Sequence, residues 1–335
     1  LAITAGAEAI KRADIDPKLI DGIVMGECFT AMEGSLAARQ VSMRLGFDER
    51  SNACVVNQNC ASGMRALDIQ ANNILLGKED IGMVIGVESM TNAPYVLEKA
   101  RMGYRMGDSK IFDNMLHDGL IDELSGGHMG LTAENVAEKY GITREECDKI
   151  AVRSHNLACK AIDEGIFKDE IVPVVIKSKK GEKVITDDEH PIRGCTMETL
   201  AKLKPAFKKD GVITAANASG INDAAAAVIL MSWEKCQELG KKPMAKLVTC
   251  VAEGVAPEVM GLAMPKALKA AGLKWEDIDY FEVNEAFSAQ VLGVERMLKE
   301  DYGYVVDWDK TNKFGSGIAL GHPVGCTALR IIVTL

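Results

Sequence analysis

The sequence contains no Cys-x-x-Cys pair and no Cys/His cluster at zinc spacing; its nine cysteines fall singly at 28, 54, 60, 147, 159, 195, 236, 250 and 326. Such spacing argues against a structural metal, and an odd number of thiols fits a reduced, cytoplasmic chain better than a disulfide framework. No apolar run approaches the roughly 18 residues a membrane helix needs. The best, Ala224 to Met231, is far shorter, and no charged-then-apolar leader opens the chain. Basic residues are also in deficit: 39 Lys and Arg against 48 Asp and Glu give a net charge of −9. A broad nucleic-acid surface is therefore not expected, although an acidic average leaves room for a local basic patch toward a phosphorylated molecule.

What is present is a large apolar complement, 47% hydrophobic in 335 residues, enough for two or more packed subdomains. Residues 1–13 read as a helix already under way, with Ile3, Ala7 and Ile10 at helical spacing and no capping residue ahead, as though the chain were cut there. Alternation follows: strand 22–25, helix 36–45, strand 54–57, helix 62–76, strand 82–87. That order indicates an α/β protein with a largely parallel sheet covered on both faces. Between about 91 and 221 the pattern becomes Met- and Gly-rich and irregular, with a charged hairpin near 177–183. A clear helix spans 144–164, opened by the capping box at Thr143 and Glu146. Strands at 224–231 and 278–283 and a helix at 285–299 then suggest a second α/β half.

The halves share a short likeness. Cys60-Ala61-Ser62-Gly63-Met64-Arg65-Ala66-Leu67 and His322-Pro323-Val324-Gly325-Cys326-Thr327-Ala328-Leu329 carry Gly, Ala and Leu at the same offsets. If this is a repeat, Cys60 and His322 face one another across a pseudo-twofold axis.

Cys60 stands between a strand and a helix, where free N–H groups and the helix dipole favour thiolate. A buried core cysteine is the bland alternative. His322, in the glycine-rich Gly315–Gly325 stretch, has its backbone fixed by Gly321 and Pro323 and is a candidate base. Asn284 suits an oxyanion donor or a helix N-cap. His128-Met129-Gly130 and Asn217-Ala218-Ser219-Gly220 would each pass for a loop alone.

Together Asn59-Cys60-Ala61-Ser62-Gly63, His128-Met129-Gly130, Asn217-Ala218-Ser219-Gly220, Asn284-Glu285-Ala286-Phe287 and Gly321-His322-Pro323 resemble the thiolase family, most closely its biosynthetic acetyl-CoA acetyltransferases, over essentially the whole chain. The resemblance implies a five-layered αβαβα thiolase fold. Its first half would be 1–91 with 222–242, an inserted loop domain 92–221, and its second half 243–335. It implies Claisen condensation of two acetyl-CoA to acetoacetyl-CoA and CoA, and the reverse thiolysis, through acetyl-Cys60. CoA thioesters would be substrates, with no permanently bound cofactor.

By the same resemblance His322 activates Cys60, Asn284 holds a water in an oxyanion hole, and His128, Met129, Leu120, Phe207, Ser219 and Phe287 line the substrate channel. Arg193 would lie near the CoA adenine. A homodimer or homotetramer is implied, with contacts near 91–127. The family's second cysteine, in Cys-x-Gly-Gly-Gly, is expected beyond Leu335. A broader-chain degradative thiolase and a non-catalytic CoA-binding or lipid-binding relative stay open.

Overall fold

The computed structural model describes residues 1–262 and 266–335. In chain order its strands are β1 (Gly22–Gly26), β2 (Asn52–Val56), β3 (Ile81–Ser89), β4 (Tyr95–Leu97), β5 (Ile111–Asp113), β6 (Val174–Ser178), β7 (Gly181–Ile185) and β8 (Asp223–Met231). Its helices are α1 (Ala2–Ala13), α2 (Ala37–Arg44), α3 (Ser62–Leu75), α4 (Met129–Tyr140), α5 (Arg144–Glu164), α6 (Met197–Leu200), α7 (Trp233–Glu238), α8 (Lys266–Ala271), α9 (Ser288–Tyr302), α10 (Gly317–Leu320) and α11 (Val324–Thr334).

The main sheet runs β2-β1-β3-β8, and β3 lies at its centre, buried through almost its whole length. β1 pairs parallel with β2 and β3, whereas β8 closes the edge antiparallel to β3. Period-two alternation sorts the core onto two faces. Ile23, Met25, Met83 and Ile85 meet α1 and α2, while Val24 and Val84 meet Ala66 and Leu67 of α3 and Cys326 and Leu329 of α11. α11 is thus seated on the main sheet, beside the helix that follows Cys60. A separate core joins α4, α5 and α9.

Most expected elements are present. α5 has the Thr143/Glu146 capping box and ends at Gly165 in the left-handed region, φ 72°. The charged hairpin is β6–β7. Three expectations need correction. The strand expected at 278–283 makes one bridge, Phe281 to Thr311, because no ladder among the described residues runs beside it. The helix expected from 285 starts at Ser288: Phe287 is held extended by a bridge to Ala218, and the Glu285 carboxylate is taken by Ser154 and Asn312. Asn284 is accordingly not its N-cap. The stretch before His322 holds one helical turn, α10, which Gly321 ends at φ 91°. Of the stretch 261–265, residues 263–265 lie outside the described residues. No helix among those described is long and apolar enough to cross a membrane.

Candidate active site

β2 delivers the chain to a tight turn before α3. Asn59 takes a left-handed backbone, φ 47°, its N–H donating to Asn57 Oδ1 at 2.9 Å. The Ser62 hydroxyl donates to the Asn59 carbonyl at 2.7 Å and accepts from the Gln58 N–H at 2.8 Å. These bonds leave Cys60 just ahead of α3, half-buried against Phe29, Met90, Val324, Met115 and Leu120.

The other side of the site arrives from α10. A Cβ on Gly321 would meet the Asn222 amide carbon at 2.5 Å, so only glycine lets the chain pass, and Asn222 Oδ1 accepts the His322 N–H at 3.1 Å. His322 is thereby aimed at Cys60: Nε2 lies 3.1 Å from Sγ. Nδ1 faces Thr327 Oγ1 at 2.7 Å and, more distantly, Asn284 Nδ2 at 3.4 Å.

Glu88, at the end of β3, ties the two sides together. Its buried carboxylate accepts from the N–H groups of Cys28 and Phe29, both at 3.1 Å, and from Gly325 at the start of α11, at 2.8 Å. Burial pushes its carboxyl up while those N–H groups pull it down.

Electrostatics correct the thiolate expected at rest. Burial, helped by the charge of Glu88, pushes the Cys60 thiol up to about 11. Burial, with Arg330 nearby, holds His322 down to about 4. The helix N-terminus does not overcome desolvation here, and both shifts favour a neutral thiol beside a neutral imidazole.

The remaining sequence candidates separate into groups. Leu120 ends a π-helical turn, Leu116–Leu120, and packs in the apolar cluster at Cys60. His128 caps α4, its Nδ1 accepting from the Gly130 N–H at 3.0 Å, and stacks on Phe207 with centroids 4.8 Å apart. Phe207 meets Phe287 edge-on at 6.1 Å, and Met129 packs against the same core. The Ser219 N–H donates to the Ala286 carbonyl at 2.9 Å, joining that segment to the one bearing Asn284. Arg193 stands apart, exposed and bidentate to Asp163 at 2.9 and 3.0 Å. Glu88, Asn222 and Thr327 were not singled out in the sequence; of these only Thr327, five residues after His322 in the repeat-like motif, lay inside a motif that was. Among the described residues no group of His, Cys, Asp and Glu could hold a metal ion.

This arrangement can pass a proton from sulfur to nitrogen and leave the sulfur free to attack a carbonyl carbon. Comparison with known proteins places the chain among relatives of one family. The family model for the thiolase N-terminal domain matches residues 1–234, and that for the thiolase C-terminal domain matches 241–335. The acetyl-CoA acetyltransferase of Syntrophomonas wolfei is 51% identical over 340 residues, covering 100% of this chain and 84% of its own. That of Cupriavidus necator is 44% identical, covering 98% and 83%. Among solved structures, acetyl-CoA acetyltransferase from Syntrophomonas wolfei superposes with a TM-score of 0.98 at 64% identity, covering 100% of this chain and 85% of that one. Human mitochondrial 3-ketoacyl-CoA thiolase superposes at 0.95 with 38% identity and the same coverage.

Proposed function

Because the chain belongs to the thiolase family and has its fold, we propose that it acts as an acetyl-CoA C-acetyltransferase, condensing two acetyl-CoA to acetoacetyl-CoA and CoA and running the reverse thiolysis through acetyl-Cys60. The observation that carries this reading is the 3.1 Å contact between Cys60 Sγ and His322 Nε2. With both groups neutral at rest, attack and deprotonation go together. The thiol proton moves to Nε2 as sulfur bonds to the thioester carbon, and the departing CoA sulfur takes that proton back. One thioester replaces another, so little bond energy changes. Cys-x-Gly-Gly-Gly does not occur in residues 1–335; the step assigned to these residues is acyl transfer onto and off Cys60.

In this reading Asn284 positions a water for the oxyanion. His128, Met129, Leu120, Phe207, Ser219 and Phe287 line the approach of the thioester, and Arg193 contacts the CoA adenine. Residues 1–91 with 222–242 form the first half, 92–221 the inserted domain and 243–335 the second half. We further propose a cytoplasmic homo-oligomer that uses CoA thioesters as substrates and keeps no permanent cofactor, with subunit contacts near 91–127.

The test is intact mass after mixing with acetyl-CoA. One acetyl group on Cys60, lost in Cys60→Ala, is the expected result; no adduct, or an adduct elsewhere, overturns the reading.

A further inference from the structure

We infer that Thr327 sets the working tautomer of His322, keeping the ring proton on Nδ1 so that Nε2 offers its lone pair to the Cys60 thiol. The functional part of this inference rests on the acyl-transfer reading above; the tautomer itself does not.

A neutral imidazole carries one N–H, and the hydrogen bond made by one nitrogen decides what the other can do. Both nitrogens of His322 are committed, Nε2 to Cys60 Sγ at 3.1 Å and Nδ1 to Thr327 Oγ1 at 2.7 Å. The threonine hydroxyl has a single proton, and Oγ1 lies 2.9 Å from the Pro323 carbonyl one helical turn back. A carbonyl can only accept. Once the hydroxyl proton points there, as threonine in a helix commonly arranges, Oγ1 can only accept from Nδ1–H.

The reverse assignment cannot serve the reaction. Turning the hydroxyl toward Nδ1 would put a proton on Nε2; the sulfur could accept it only weakly, with its own S–H turned away, and the ring would then face the thiol with no lone pair for its proton. Asn284 Nδ2 stands 3.4 Å from Nδ1, too far to outweigh a 2.7 Å contact. Thr327 is buried and fixed on α11, so the bond does not compete with water.

The role is positioning. As sulfur attacks, the S–H bond breaks and its proton goes to Nε2, giving an imidazolium whose Nδ1–H stays on Oγ1. When the CoA sulfur leaves, Nε2 returns the proton. Thr327 never exchanges its own. It touches neither substrate nor sulfur, yet without it the ring could turn its protonated nitrogen to the thiol.

The experiment is 15N NMR of the histidine-labelled full chain at neutral pH, with the His322 signal assigned by its loss in His322→Asn, alongside kinetics of Cys60 acetylation by acetyl-CoA. The wild type is expected to show Nδ1 protonated. Thr327→Val keeps the β-branched shape and is expected to shift the signal toward Nε2–H, lowering the acetylation rate at least ~10-fold with KM nearly unchanged. Thr327→Ser restores both the signature and the rate. A wild-type ring protonated on Nε2, or a Thr327→Val protein with unchanged signature and rate, overturns the inference. Should Thr327→Val fail to fold, the wild-type signature and Thr327→Ser decide it. A wild type with no acetyl adduct counts against the proposed function, while its spectrum still reads the tautomer.

Discussion

A side chain on Gly63 has nowhere to go against Leu329: a Cβ there would stand 2.8 Å from the Leu329 amide nitrogen, and 3.2 Å from the Gly325 carbonyl oxygen. The helices that follow Cys60 and His322 touch backbone to backbone. Gly63→Ala should gain at most about 1 kcal/mol of helix propensity and lose about 1–3 kcal/mol to overpacking. The expected sum is a destabilised protein with slower Cys60 acetylation, read by urea denaturation and acylation rate; wild-type values for both would mean the helices part freely.

Glu88 answers three backbone donors at once, on both sides of the site. Glu88→Gln turns an amide N–H toward one of them and is expected to cost about 1–3 kcal/mol. Glu88→Ala, which leaves all three without their carboxylate, should cost more. Equal stabilities for wild type and Glu88→Ala would show that the brace contributes nothing.

Reactivity toward iodoacetamide reports the resting thiol. With burial pushing Cys60 up to about 11, alkylation followed at its own peptide should keep climbing as pH rises toward that value. A plateau reached near neutrality would instead indicate a thiolate–imidazolium pair before substrate arrives.

Acid sensitivity follows from histidines buried uncharged. His155, whose Nδ1 accepts from the Ile192 N–H at 3.2 Å, is held down to about 4 by burial and by His190. A folded value below the unfolded one means the unfolded chain binds the extra proton. The stability is therefore full above about 6.5 and is lost as pH falls toward 4. Glu27, raised to about 9 chiefly by burial, acts with the opposite sign, so the total pH slope mixes both. The gap between wild type and His155→Gln isolates the histidine; it should narrow on acidification from pH 7 to pH 4.5 by up to ~3 kcal/mol. A constant gap would contradict the burial argument.

Many of the elements were legible because they announce themselves. β3 is a continuous apolar run, α5 has its capping box and terminal glycine, and α3 is fixed by its apolar spacing and Gly77. The Cys60–His322 pairing was also within reach, since two similar octapeptides implied matching positions. What escaped depended on partners far along the chain. Residues 278–283 look like a strand, but a strand exists only with a neighbour. The helix after Asn284 starts late because Phe287 and Glu285 are claimed by residues 69 and 131 positions earlier. The upward shift of the Cys60 thiol escaped for a related reason: helix position is local, whereas burial comes from packing. Glu88 and Asn222 gave no signal, because a lone carboxylate or amide reads like any surface residue until its donors are in place.

Cys60 and His322 are separated by 262 positions in the chain. At about 5–20 residues per second, a ribosome finishes one roughly 13–52 s before the other. Throughout that interval the nascent protein carries Cys60 without the imidazole that stands 3.1 Å from it in the folded chain. On the proposed chemistry, acylation is gained only once α11 docks beside α3, which makes it a clock for the meeting of these two segments.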